Sequence, residues 1–284
     1  GNPIKADNPL QVAVARFLGY RWPAESETEM KLSEEARYLI NEITKYDAYT
    51  DNDGIVCIPP VNGELTAADR LRDYLAAIYG SQWSHNTIEK LLKKEGSRSK
   101  DLENYLRDEF FEQHFKLFQN RPFIWQIWDG RKDGFSVLVN YHKLTKEALQ
   151  KIIYTYLGDW IRQCEAKLRN NESGAEGLLI AAQILKTKLE LILEGEKPYD
   201  IFVRWKPIDK QPVGWDPDLN DGVRLNIRPF VESGVLRKQP KIKWGIDRGK
   251  NPPGSPWGEI RDNDIHLTLR EKLEAREKSK KKTS

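Results

Sequence analysis

The chain is 284 residues long, 39% hydrophobic and 31% charged, with a formal net charge of +3. One or two domains with a sizeable core fit that length, and no apolar stretch approaches a membrane span. No basic start leads into an apolar run, so no secretory signal is visible, and Cys57 and Cys164 form no close pair. Both thiols are expected to be small buried residues in a reducing compartment, which makes the cytoplasm the expected location.

The net charge hides a gradient. Residues 234–284 hold 14 Lys and Arg against 7 Asp and Glu, whereas the other 233 residues hold 32 against 36. Basic charge gathered at one end implies an anionic partner there, most often nucleic acid. The run Lys278-Ser279-Lys280-Lys281-Lys282 reads as a solvated tail. The chain opens Gly1-Asn2-Pro3 and Met30 is its single methionine; an excised or split-off piece of a longer protein is the expectation.

In chain order, residues 1–120 read as mainly helical. Asn8-Pro9 starts a helix with Leu10, Val14, Phe17 and Leu18 inward. Ser33-Glu34-Glu35 starts another, carrying Leu39, Ile40 and Ile43. Asp53-Gly54 opens Ile55–Ile58, a buried strand or an extended loop, stopped by Pro59-Pro60. Thr66 with Asp69 caps a helix built on Leu71, Tyr74, Leu75, Ile78 and Tyr79, and Gly80 ends it. A short helix with Ile88, Leu91 and Leu92 runs to Gly96. Ser99 starts a longer one on Leu102, Tyr105, Leu106, Phe110 and Leu117, with His114 as a hydrogen-bonded residue of its core or border.

Residues 121–270 read as α+β. Pro122–Trp128 and Phe135–Tyr141 form a hairpin turning through Asp129-Gly130 and Asp133-Gly134, where Gly supplies positive φ. Trp125 and Trp128 fall on opposite faces, so at least one reaches the core. Arg131 and Lys132 either touch nucleic acid or solvate the hairpin tip. Thr145 then caps a helix whose stripe runs from Leu149 through Ile153, Leu157, Trp160 and Cys164 to Leu168. Asn170–Gly174 breaks it, and Leu178 to Leu193 returns, making an antiparallel helical hairpin over 145–194. Residues 271–284 form a charged tail.

The segment 199–257 stands apart, with more than half of the 15 prolines lying between Pro198 and Pro256 among Trp205, Trp215, Trp244 and Trp257. Cations alternate with apolar residues at Val203-Arg204-Trp205-Lys206 and Val223-Arg224-Leu225-Asn226-Ile227-Arg228, placing one kind of side chain on each strand face. A basic, Trp-bearing face suits phosphates and bases, whereas a wet antiparallel sheet carries Arg for ordinary solvation. Asp216–Gly222 misses the calcium-loop pattern, because its Gly comes one position late and Ile227 stands at the twelfth place. Glu165-Ala166-Lys167 sits inside an amphipathic helix, and the four His residues show no metal-ligand spacing. No catalytic and no metal site emerges.

Three groups of residues carry a resemblance. They are Phe123-Ile124-Trp125-Gln126-Ile127-Trp128-Asp129-Gly130-Arg131-Lys132-Asp133-Gly134-Phe135, Val139-Asn140-Tyr141-His142-Lys143-Leu144 and Tyr154-Thr155-Tyr156-Leu157-Gly158-Asp159-Trp160. With Val203–Pro207, Asn220–Phe230 and Lys243–Lys250, this wording resembles the far C-terminal part of large N6-adenine DNA methyltransferases of bacterial restriction and phage-defence systems, the PglX-like type. The resemblance implies a parent that moves a methyl group from S-adenosylmethionine to adenine in DNA. This chain departs from that parent. It has no Gly-x-Gly, and Asn251-Pro252-Pro253 is followed by Gly254 in place of the aromatic that stacks a flipped adenine.

The reading is an α+β fold: a helical front, a β-hairpin, a long helical hairpin, and a Trp-rich basic sheet-and-loop portion. Its expected role is the non-catalytic, DNA-binding or target-recognition region of such a methyltransferase, with S-adenosylmethionine held in the missing catalytic portion and no cofactor in this chain. Double-stranded DNA is the expected partner. The DNA-binding candidates are Arg204, Lys206, Arg224, Arg228, Lys241, Lys243, Trp244, Arg248 and Lys250. The alternative is a protein-interaction module that docks the methyltransferase to other subunits of a restriction or defence complex.

Overall fold

The computed structural model describes residues 8–19, 49–61, 63–118, 122–199, 205 and 227–239. The helix expected around Leu39, most of the Trp-rich segment and the charged tail lie outside the described residues. Helix α1 (Pro9–Phe17) starts with Pro at its first positions, where a missing N–H costs nothing. Leu10 through Phe17 are all buried, including Gln11 and Arg16, so this is an interior helix and not one with a single inward stripe. The Asn8 side chain donates to Glu95 (3.0 Å), whose other oxygen accepts the N–H groups of Leu10 (2.6 Å) and Gln11 (3.3 Å). A carboxylate distant in sequence therefore completes the helix start, and the helix dipole favours it there. Burial pushes the Glu95 carboxyl above its ordinary range, against the pull of those three donors.

Strand β1 (Ile55–Cys57) is buried throughout. It pairs antiparallel with β3 (Ser136–Asn140), which pairs antiparallel with β2 (Ile124–Trp128), giving the order β1-β3-β2. Leu236 bridges Ile127 on the outer side of β2, and the Arg237 N–H donates to Gln126 O at 2.9 Å. Apart from Trp128, every hairpin strand residue is buried, so neither face of the hairpin is wet. At the end of β3, Asn140 donates to Leu18 O (2.8 Å), and Lys143 Nζ donates to Asp51 O (2.8 Å). The Val139–Leu144 wording thus ties the sheet to the chain that leaves α1.

Helix α2 (Ala67–Tyr79) is capped as expected, Thr66 accepting the Asp69 N–H at 3.1 Å. Helix α3 (His85–Lys94) ends at Gly96, whose φ of 67° lets the N–H of Ser97 reach Leu92 O at 2.9 Å. Helix α4 spans 102–117 and starts at Asp101, not at Ser99. The Asp101 carboxylate accepts the Asn104 N–H at 2.7 Å, while the Ser99 hydroxyl is spent on Glu109. The middle of α4, Tyr105–Glu109, is π-helical, and its wider turn brings Phe111 and Phe115 onto the buried face with Phe110 and His114. Phe111 and Phe115 then pack on Trp125 of β2 at 6.0 and 6.3 Å.

His114 is fully buried at the junction of α1, α4 and β2. Its Nε2 accepts the Ile124 N–H (3.2 Å), so its proton sits on Nδ1 and is donated to Gln11 Oε1 (3.1 Å). The Gln11 amide donates to Tyr105 Oη and Phe110 O. Burial pushes the imidazole down to about 3 and keeps it neutral.

Helix α5 covers 146–169, with a π-helical stretch at Lys151–Tyr156, and α6 is Ala175–Glu194. The backbone is helical through Leu157 and Trp160. Asn171 at φ 56° closes α5, the Glu172 N–H reaching Lys167 O at 3.0 Å. Lys186 Nζ lies 6.0 Å from the Tyr154 ring, so α6 returns alongside α5. Leu149, Ile153, Leu157, Trp160 and Cys164 are buried as the spacing predicts, but Leu168, at the last turn, is exposed.

The chain divides into two compact units, Gly1–Lys186 with Leu236–Lys238, and Thr187–Val235 with Gln239–Ser284. In the second, Leu189, Ile192 and Leu193 are buried, and the Trp205 indole N–H donates to Leu193 O at 2.9 Å. Helix α7 (Arg228–Glu232) buries Pro229 and Phe230. The described architecture is α+β, and no described helix is long and apolar enough to cross a membrane.

Candidate nucleic-acid interface

The hairpin tip is built around one carboxylate. Asp129 accepts the N–H groups of Arg131 (3.0 Å) and Phe135 (2.8 Å), which closes the loop between β2 and β3. Gly134 passes so close that a Cβ there would lie 2.3 Å from both Asp129 oxygens, so only glycine fits. Burial raises the Asp129 carboxyl, and those backbone donors oppose it. The loop points Arg131 and Lys132 in different directions. The Arg131 guanidinium lies against Gly177 of α6, where a Cβ would come within 3.0 Å of it. Lys132 reaches Asp108 in the π-helical turn of α4 (3.4 Å) and is 70% exposed, leaving its ammonium within reach of a ligand.

Asp108 gathers two further cations, Arg107 (2.9 Å) and Arg237 (3.5 Å). Burial alone would raise its carboxyl, but hydrogen bonds from Arg107 and Lys132 hold it below the ordinary range. One turn along α4, Glu112 holds Lys238 (3.1 Å) and Lys116 (3.3 Å), and the Lys238 bond draws it below its usual value. The segment around Leu236 that closes the β2 edge therefore delivers two cations to the same face. Arg237 stacks on the Trp128 ring at 4.2 Å and Lys238 lies 5.3 Å from Phe115. With the pair between Arg131 and Asp133, six cations meet three carboxylates. The excess is positive, and the surface can take up anions beside an aromatic ring.

Arg228 is the one sequence-predicted site residue whose structure is described. Alternation had placed it on a strand face, whereas it opens α7 and its Nε lies 3.6 Å from Glu232. Pro229 explains the difference, since it cannot donate to a sheet and its fixed φ suits a first helical turn. Arg204, Lys206, Arg224, Lys241, Lys243, Trp244, Arg248 and Lys250 lie outside the described residues. Sequence reasoning named Trp128, Arg131 and Lys132 at the tip but missed Arg107, Asp108 and the Arg237-Lys238 pair. The basic C-terminal count includes that pair, yet nothing local shows that it docks on β2.

No family model matches the chain. In sequence it is similar to proteins named as adenine-specific methyltransferases. Adenine-specific methyltransferase PglX of Lacticaseibacillus casei (strain Zhang) is 27% identical over 164 residues, 55% of this chain and 14% of that protein. Adenine-specific methyltransferase BrxX of Escherichia coli O9:H4 (strain HS) is 23% identical over 197 residues, 63% of this chain and 16% of that protein. The chain thus spans only a small part of the length of these relatives, and its relationship is PglX/BrxX-like.

Proposed function

We propose that this chain is the non-catalytic region of an N6-adenine DNA methyltransferase of a restriction or phage-defence system, and that it holds the duplex while another portion transfers the methyl group. The observation that carries this reading is the similarity to two adenine-specific methyltransferases over a short part of their length. The exposed cations beside Trp128 support it, because phosphate contacts position a protein on DNA. The residues do not suit S-adenosylmethionine. They offer no Gly-x-Gly loop, and Gly254 stands where a stacking aromatic is needed, so no step of the transfer is assigned to this chain. The purified chain should neither bind that cofactor in calorimetry nor methylate DNA.

The decisive test is binding of labelled duplex DNA to the whole chain between about 50 and 200 mM salt. Lys132→Ala and Lys238→Ala should each weaken binding to all sequences and lower the salt slope by roughly one. Arg204, Lys206, Arg224, Arg228, Lys241, Lys243, Arg248 and Lys250 belong to the same reading, with Trp244 as a stacking residue. Unchanged affinity and slope across all these variants would end it.

One observation favours the second reading, docking to partner subunits. Ile180 and Ile184, one turn apart on α6, and Tyr154 on α5 are all about half exposed. On that reading Ile184→Glu abolishes co-sedimentation with a subunit of the same defence complex and leaves duplex binding intact.

A further inference from the structure

Helix α3 and the loop after it carry a second basic surface of a different kind. Lys90, Lys93, Lys94, Arg98 and Lys100 are all exposed, and among the described residues none has its side chain in a hydrogen bond or ion pair. The two acidic residues of this stretch do little to neutralise them. Glu95 is buried and spent on the N-terminus of α1, while Glu89 alone remains exposed.

Two of these cations, Lys93 and Lys100, line a cleft of about 880 Å3 between α2, helix α3 and the start of α4. Trp83, Ile88, Leu92 and Leu102 line it as well. Its size matches sites that enclose small organic ligands. The turn at Gly96 faces open space, since a Cβ there would meet nothing within 4 Å. Ser97 and Ser99 add hydroxyls at the wall. Of the two carboxylates on the wall, Glu89 is exposed and Asp101 is engaged. Asp101 accepts from the Asn104 backbone and side chain, and Arg72 is held by Asp69 and Glu103.

An aromatic, apolar floor under a rim of free ammonium groups matches an unstacked base with its flanking phosphates. Duplex DNA, whose bases stay stacked, makes no use of such a floor. We propose that this cleft binds a short single-stranded segment of nucleic acid, with one base against Trp83 and its phosphates at Lys93, Arg98 and Lys100. The proposal rests on the nucleic-acid reading above but uses none of the hairpin-tip residues.

The test is fluorescence anisotropy of a labelled oligo-dT strand, with a matched duplex in parallel, on the whole chain. The strand should bind with marked salt dependence. Lys93→Glu with Lys100→Glu, and separately Trp83→Ala, should each weaken strand binding roughly tenfold and leave duplex affinity within about twofold. Trp83→Phe should retain most of the affinity, because it keeps a ring to stack on, and an unchanged thermal midpoint separates lost stacking from lost folding. Strand affinity that ignores these changes, or that falls in step with duplex affinity, overturns the proposal. A strand that never binds leaves the duplex reading standing and sinks this one.

Discussion

The hairpin tip and helix α3 are both rich in Lys and Arg, but they spend that charge differently. At the tip, Asp108 and Glu112 hold five cations between them, and Arg237 is further fixed on Trp128. Along α3 and the loop after it, five cations have no side-chain hydrogen bond or ion pair among the described residues, and the carboxylate that ought to neutralise them, Glu95, faces inward. Basic composition therefore does not define an interface by itself. What counts is how much of the charge the fold has already consumed, and whether the remainder lies beside a surface that a ligand can enter.

Removing Glu95 tests the comparison most severely. Glu95→Ala strands the N–H groups of Leu10 and Gln11 in a buried site, and should lower stability by about 2–3 kcal/mol in chemical denaturation. Glu95→Gln keeps an acceptor and should cost about 1 kcal/mol. If neither variant is destabilised, the inward role of Glu95 is wrong and α3 is not a free basic strip.

A smaller effect is expected at the tip. Asp108→Asn removes the charge that holds Arg107, Lys132 and Arg237, and should cost about 1–2 kcal/mol while tightening duplex binding as those cations are released. Weaker duplex binding would mean that the carboxylate positions the cations for DNA and does not compete with it.

Acid titration sharpens the contrast, because the tip pairs ionise and the α3 lysines have no partner to lose. The Asp108 and Glu112 carboxyls are depressed in the folded state, so their contribution is complete above about pH 5 and is lost as pH falls through their folded values. Asp51 has the opposite sign. Burial and its neighbour Asp53 raise it to about 6, so its contribution is present at acid pH and fades as pH rises through about 6. Asp108→Asn should flatten the acid limb of the stability profile, and Asp51→Asn should flatten the stretch between about pH 4 and 6. The smallest change is expected on α3 itself. Lys90→Ala and Lys94→Ala should alter stability by no more than about 0.5 kcal/mol, a thermal midpoint shift near the limit of detection.

Local chemistry made much of the fold legible. Pro9, the Thr66 and Thr145 caps, Gly80, Gly96 and Gly195, and the hairpin turn through Asp129 act within a few residues of where they stand, so spacing alone locates them. His114 was legible as a hydrogen-bonded core residue because it sits on an apolar helical stripe. The α3 strip was missed for an arithmetic reason: averaged over the first 233 residues, five neighbouring cations vanish into a slightly acidic total.

Periodicity, caps and long distinctive wording are local properties, so most described helices, the β2–β3 hairpin, the α+β class and the kinship with adenine-specific methyltransferases are legible in the sequence. Strand β1 stays open there between strand and loop, and Arg228 reads as a strand residue although it opens a helix. Which charges are free depends on how the chain packs. Whether Glu95 neutralises Lys94 or caps α1, and whether Arg237 meets solvent or Trp128, depends on groups brought together from far apart in the chain. A charged side chain looks the same in sequence whether it is exposed or spent. Desolvation and partner geometry, which decide its chemistry, arise only once the chain has packed.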